Sequence, residues 1–170
     1  AGIQPQGRVL IYDDDHAYMA GVLAEQLRQS GLEVVLVTPA AEVSIWTKNT
    51  LEQSRIQAHL IDLGVEITTA RELDELVDGG ARLACVHSGR RYDVTADAAV
   101  LVTERLPNED LAAALSLQDG FQSSRRSIGD CHAPGLIAHA VYAGHLAARE
   151  FQEDPDALAA QLFKREMPTL

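Results

Sequence analysis

Short apolar runs alternate with amphipathic stretches along the first hundred residues. Arg8 to Tyr12 is a compact apolar strand, and Met19, Val22, Leu23 and Leu27 then share one helical face before Gly31 supplies a helix stop. Val34 to Thr38 is a continuous apolar run of the kind a parallel strand buried on both faces requires, and Pro39 ends it. Thr50 to Leu63 carries Ile56, Leu60 and Leu63 at helical spacing, with Gly64 as its stop and Val65 to Thr68 as a third short strand. The order β–α–β–α–β predicts right-handed crossovers and a small parallel sheet with helices packed on it.

From Arg82 the pattern changes. Arg82 to Ser88, a Ser88-Gly89 turn and Tyr92 to Thr95 predict an antiparallel excursion, after which Ala98 to Thr103 returns to the apolar strand type. Leu106-Pro107-Asn108 is a turn, Asp110 to Leu115 a short helix, and Phe121 to Arg126 a polar loop leading to Ser127-Ile128-Gly129-Asp130. A final helix is expected with Pro134 in its first turn and an apolar stripe of Ile137, Val141, Gly144 and Ala148. The fold class is therefore α/β, a three-layer Rossmann-like parallel sheet with a small antiparallel excursion. Its expected divisions are a linker over 1–7, a Rossmann-like NAD(P)-domain-type unit over 8–108, a return segment over 109–153 and a tail over 154–170 that holds one more helical turn before Pro168.

The chemistry turns on the residues directly after the first strand. A dinucleotide-binding unit places GxGxxG there, so that the backbone approaches a pyrophosphate and helix N–H groups point at it. This chain has Asp13, Asp14 and Asp15. One register of the fingerprint puts Asp13, Asp15 and Tyr18 at the glycine positions, and a second puts Asp15, Ala17 and Ala20 there. At about 4 Å and an effective dielectric of about 20, each carboxylate repels a phosphate charge by roughly 4 kcal/mol, more than a helix terminus returns. This degenerate phosphate loop is expected not to hold NAD(P) in the usual way. Thr38 likewise stands where an NAD-type acidic residue would bind ribose hydroxyls, with Glu42 nearby but past Pro39.

With 46% apolar residues among 170 there is enough for a real core, and a charge of −11, from 14 Lys and Arg against 25 Asp and Glu, disfavours nucleic acid and anionic membranes. No apolar run is long enough to span a bilayer and no signal peptide is present, which predicts a cytoplasmic location. Cys85 and Cys131 lie far apart, and the six histidines show no HxH or HExxH spacing, so no disulfide framework, iron–sulfur cluster or zinc site is expected. The aspartates could instead hold a cation, although no second oxygen cluster accompanies them. Trp46 with Thr47, Asn49 and Thr50 could line the crevice at the carboxyl ends of the strands, or Trp46 could pack on the first helix. Arg90-Arg91 and Arg125-Arg126 are short basic pairs in predicted loops, the second able to meet a neighbouring domain.

An apolar strand ending in acidic residues also opens phospho-receiver domains of two-component systems, and Asp62 falls at a plausible distance for the acceptor. Asp62, however, sits in a helical pattern, and neither lysine, Lys48 or Lys164, comes after an apolar strand. More of the chain resembles the C-terminal Rossmann-like region of the flavoprotein family of trimethylamine dehydrogenase, histamine dehydrogenase, N-methylproline demethylase and 2,4-dienoyl-CoA reductase. The similar residues include Tyr12-Asp13-Asp14-Asp15, Tyr18-Met19, Gly21-Val22-Leu23-Ala24-Glu25 and Val37-Thr38-Pro39. Val43-Ser44, Trp46-Thr47, Asn49-Thr50-Leu51-Glu52-Gln53 and Arg55-Ile56-Gln57 continue the match. Leu101-Val102-Thr103, Arg105-Leu106-Pro107-Asn108, Ile128-Gly129-Asp130-Cys131, Ala133-Pro134 and Tyr142-Ala143-Gly144-His145 extend it, with Phe163-Lys164-Arg165-Glu166 near the end.

That resemblance implies a parent oxidoreductase whose FMN and 4Fe–4S cluster lie in a barrel domain, with this chain as a non-catalytic nucleotide-binding-type unit among the remaining domains of the parent flavoprotein. No catalytic residue is expected in the chain itself, and a homo-oligomer is possible. Gly129, Asp130 and Cys131 resemble the second flavoprotein signature, which implies contact with FAD or ADP in the complete protein ahead of a helix starting near Ala133-Pro134. A plain turn with a capping aspartate is the alternative. The glycine-rich half of that other domain is expected ahead of Ala1. Family members that accept electrons from NADPH keep the glycine loop, so Asp13 to Asp15 imply an amine dehydrogenase or oxidative N-demethylase. A competent NAD(P)- or FAD-binding module of a flavoprotein reductase remains the further alternative.

Overall fold

The computed structural model describes residues 5–117 and 126–151. The expected tail over 154–170, Arg125 and Phe163-Lys164-Arg165-Glu166 lie outside them. The chain forms two compact units, residues 1–104 and 105–170.

In the first unit, β1 (Arg8–Asp13), α1 (Met19–Gln29), β2 (Glu33–Val37), α2 (Gln53–Asp62) and β3 (Glu66–Thr68) take the predicted order. A meander of β4 (Arg71–Val77), β5 (Gly80–Cys85) and β6 (Arg91–Thr95) leads to β7 (Ala98–Val102). The parallel sheet has the order β3-β2-β1-β7, and the meander is a separate antiparallel sheet, β4-β5-β6. Strand pleating sorts the core into two faces. Val9, Ile11, Val34 and Leu36 pack with Ala20, Ala24 and Leu60 of the helices. Leu10, Val35 and Val37 pack with Ala81 and Leu83 of the meander. Both faces are buried, which is why β1 and β2 read as unbroken apolar runs. The result is the expected three-layer Rossmann-like α/β fold.

Both glycine stops act as expected. Gly31 and Gly64 take positive φ, 84° and 76°, and each lets the next residue reach back into its helix: Leu32 N–H to Leu27 O and Val65 N–H to Leu60 O. Arg28 ties the two ends together, its Nε 3.0 Å from Leu63 O and its Nη1 2.7 Å from Leu32 O.

Three boundaries differ from expectation. The strand β4 lies in the charged stretch Arg71 to Val77, where the apolar pattern predicts no strand, and carries a bulge between Leu73 and Glu75. Its edge position lets Glu72, Asp74 and Glu75 face solvent. Residues Ile45–Thr50 form a 3₁₀ turn, so α2 starts at Gln53 rather than Thr50. In the second unit, α3 spans Asp110–Ser116 and α4 spans Ile137–Arg149. Pro134 is therefore not in the first turn of the last helix. Asp130 Oδ1 holds the Gly135 N–H at 3.2 Å, Leu136 is extended, and its N–H is taken by His139 Nδ1 at 3.1 Å, which delays the helix.

Candidate functional site: a closed nucleotide crevice

The order β3-β2-β1-β7 reverses direction at β1, and open α/β sheets bind ligands outside the carboxyl ends of the strands at such a point. The loop from Asp13 to Tyr18 occupies it. Three of its backbone donors are already used. Asp14 and Asp15 N–H both donate to Val102 O, at 2.8 and 3.2 Å, and His16 N–H donates to Asp13 Oδ1 at 3.0 Å. These are the groups that a phosphate cradle would have to offer outward.

Asp13 is fully buried, and its Oδ2 has no hydrogen-bond partner among the described residues. Burial is the chief cause that pushes its carboxyl above the usual carboxylate range, with the His16 N–H pulling the other way. Asp14 is exposed and Asp15 half-buried, so the three carboxylates do not converge on one point. Among the described residues no three His, Cys, Asp or Glu side chains are grouped to hold a metal ion.

His16 is the residue that sequence reasoning missed. It takes a left-handed conformation, φ 59°, uncommon among residues other than glycine. Its Nδ1 lies 3.4 Å from Thr38 Oγ1 and its Nε2 3.5 Å from Asp14 Oδ1. The imidazole thus bridges the ends of β1 and β2, and Thr38, itself fully buried, faces it. A histidine directly after an acidic run is the only sequence signal, and spacing alone gives it no role.

The segment after β2 covers the loop. Trp46 N–H donates to His16 O at 3.0 Å, Thr47 is buried with its Oγ1 on Ser44 O, and Tyr18 Oη contacts Thr50 Oγ1 at 2.9 Å and Glu52 Oε2 at 2.5 Å. The Tyr18 hydroxyl, first, and then the Thr50 hydroxyl hold the Glu52 carboxyl below its ordinary range. The Trp46 side chain stays 59% exposed at this rim, so it is not buried against the first helix. Glu42, the nearest acidic residue past β2, is paired with Lys48 at 2.8 Å. The Asp14, Asp15 and His16 amides are thus bonded within the protein, and Thr38 Oγ1 faces the His16 imidazole.

Gly129 to Cys131 form a 3₁₀ turn with Gly129 at φ 64°. Asp130 is exposed, with one carboxyl oxygen on Gly135 N–H, and Cys131 is exposed, its thiol 3.0 Å from Ile128 O. The α4 N-terminus does not directly succeed this turn, contrary to the start expected near Ala133-Pro134. Asp62, the receiver-type acceptor, is the last residue of α2 rather than the end of a strand, which removes the geometry that a receiver site needs.

Fold and loop together define a Rossmann-like flavoprotein-type domain whose first strand-to-helix loop bonds its own amides. No family model matches the chain. It is 41% identical to part of histamine dehydrogenase from Rhizobium sp. 4-9, with a TM-score of 0.84 over 98% of this chain and 25% of that one. It is 35% identical to part of 6-hydroxypseudooxynicotine amine oxidase from Pseudomonas geniculata N1, with a TM-score of 0.79 over 86% of this chain and 22% of that one. Dimethylamine dehydrogenase from Hyphomicrobium sp. (strain x) is 27% identical over 94% of this chain and 24% of its own length. Over this region the chain is a homologue of the trimethylamine dehydrogenase family, and it spans about a quarter of the length of these relatives. Those relatives are oxidoreductases. Among the described residues no helix is long and apolar enough to cross a membrane.

Proposed function

We propose that this chain is a non-catalytic, nucleotide-domain-type unit of an amine dehydrogenase or oxidative N-demethylase that carries FMN and a 4Fe–4S cluster in other domains. Its work is to support those domains rather than to bind NAD(P). One observation carries this reading: the Asp14, Asp15 and His16 amides, which would face a diphosphate, are bonded to Val102 O and Asp13 Oδ1. Opening the loop would break these bonds and still leave carboxylates facing the phosphates. Similarity to amine-oxidising enzymes favours the amine over other substrates.

In the complete protein, Gly129, Asp130 and Cys131 are the residues of this chain that would face FAD or ADP. Asp130 has one carboxyl oxygen committed to Gly135, so its contribution alone is weak. The divisions at 8–108 and 109–153 belong to the same reading, with the first as scaffold and the second returning to a neighbouring nucleotide domain. Calorimetric titration with NADH and NADPH tests it. No saturable heat is expected up to millimolar cofactor, whereas micromolar binding by the unaltered chain would overturn it.

A further inference from the structure

We propose that Arg71, Arg90 and Tyr92 form an anion-binding site on the meander side of the sheet's carboxyl end, suited to the phosphate or carboxylate group of a small molecule. It is separate from the shut crevice and stands whether or not that reading holds.

Carboxylates outnumber cations in this chain, 25 to 14, so an arginine without a carboxylate partner calls for a reason. In the first unit Arg8 pairs with Glu66, Arg55 with Glu52, Arg82 with Glu75 and Asp93, and Arg91 with Asp74. Arg28 is used up on two carbonyls. Among the described residues Arg71 and Arg90 alone in this unit hold neither a carboxylate nor a distant carbonyl. Arg71 reaches only the carbonyl of Ala70, its chain neighbour. Both converge instead on one ring, with guanidinium carbons 4.5 and 5.6 Å from the Tyr92 centroid.

The register explains the convergence. Arg71 pairs with Cys85 and Leu83 with Tyr92, while Cys85 N–H donates to Arg90 O. Arg71, Cys85 and Arg90 therefore make one cross-strand row, beside the row of Leu73, Leu83 and Tyr92 on the same face. Arg71 N–H donates to Thr38 O, which fixes this row at the end of β2. The Cys85 thiol in this row is held below its ordinary range chiefly by its own turn, with Arg71 as a minor contributor. The Ser88 hydroxyl, then the His87 and Ser88 N–H groups, and last the Arg71 charge lower it to about 7. Two guanidinium forks held over an aromatic ring present planar N–H donors that match an oxyanion, and stacking on the ring spends none of them beyond the Arg71 Nη1–H on Ala70 O.

Nuclear magnetic resonance titration of the full chain with inorganic phosphate, with succinate and with chloride at constant ionic strength tests the site. Saturable movement of the Arg71 and Arg90 Nε–H and Tyr92 ring signals is expected, with Arg8 and Arg82 unmoved. Arg90→Gln, in an exposed turn, is expected to weaken that binding by about tenfold or more, the size of a charge-assisted hydrogen bond. Saturation by phosphate alone assigns a phosphate-bearing ligand, and saturation by succinate as well assigns any small oxyanion. Shifts that track chloride equally, or that survive Arg90→Gln, overturn the proposal.

Discussion

Asp13 stands where a glycine would let a dinucleotide in, and its carboxylate instead caps the His16 amide from within the core. Its pKa is raised, chiefly by burial, so the folded chain holds that proton more tightly than the unfolded chain does. The cost of burying the ionised form is absent below the ordinary carboxylate range. It grows as pH rises through the raised folded value and is complete above it. Asp13→Asn keeps an oxygen for the His16 N–H and removes the charge. This variant is expected to be more stable than the parent at pH 7, with the gain shrinking toward pH 4, as read from urea midpoints at the two pH values. A gain of the same size at both would show that Asp13 ionisation is not involved. The three aspartates were legible as a departure from the glycine fingerprint, but the inward hydrogen bonds of this loop were not. Nothing in the residue types says that Val102 O would be the acceptor.

Elements with regular apolar spacing and a terminal glycine could be read directly. The helices α1 and α2 end where Gly31 and Gly64 require, and β1, β2 and β7 sit on their apolar runs. Where charge masks periodicity the reading failed: β4 alternates only partly, and its identity comes from pairing with β5, a long-range fact. The start of α4 shifted for a similar reason, because the Asp130 and His139 side chains took the amides of Gly135 and Leu136. Arg28 shows how elements are joined rather than merely adjacent, since it bonds the Leu63 and Leu32 carbonyls just past the two helices. Arg28→Ala is expected to destabilise the chain by about 3 kcal/mol, the low end of the sum of two hydrogen bonds from a charged donor, as read by urea denaturation. Arg28→Lys, which lacks the fork, should recover only part of it. A loss below about 0.5 kcal/mol for the alanine variant would place the joint elsewhere, in the helix packing itself.

For the molecule as a whole, the proposed closure rests on what the loop places at the carboxyl end of β1: His16 between Asp14 and Thr38, and the Trp46 N–H of the turn over Ile45–Thr50 on His16 O. Kinship with amine-oxidising flavoproteins was legible because it rests on many short motifs in order. The closure was not, since it depends on a histidine and a 3₁₀ turn that carry no periodic signal. Amide hydrogen exchange at Asp14, Asp15 and His16 tests the closure most directly. The inward bonds predict slow exchange at all three, unchanged by millimolar NADH. Exchange at the rate of an open loop, slowed when NADH is added, would mean that the crevice is available and that the account is wrong.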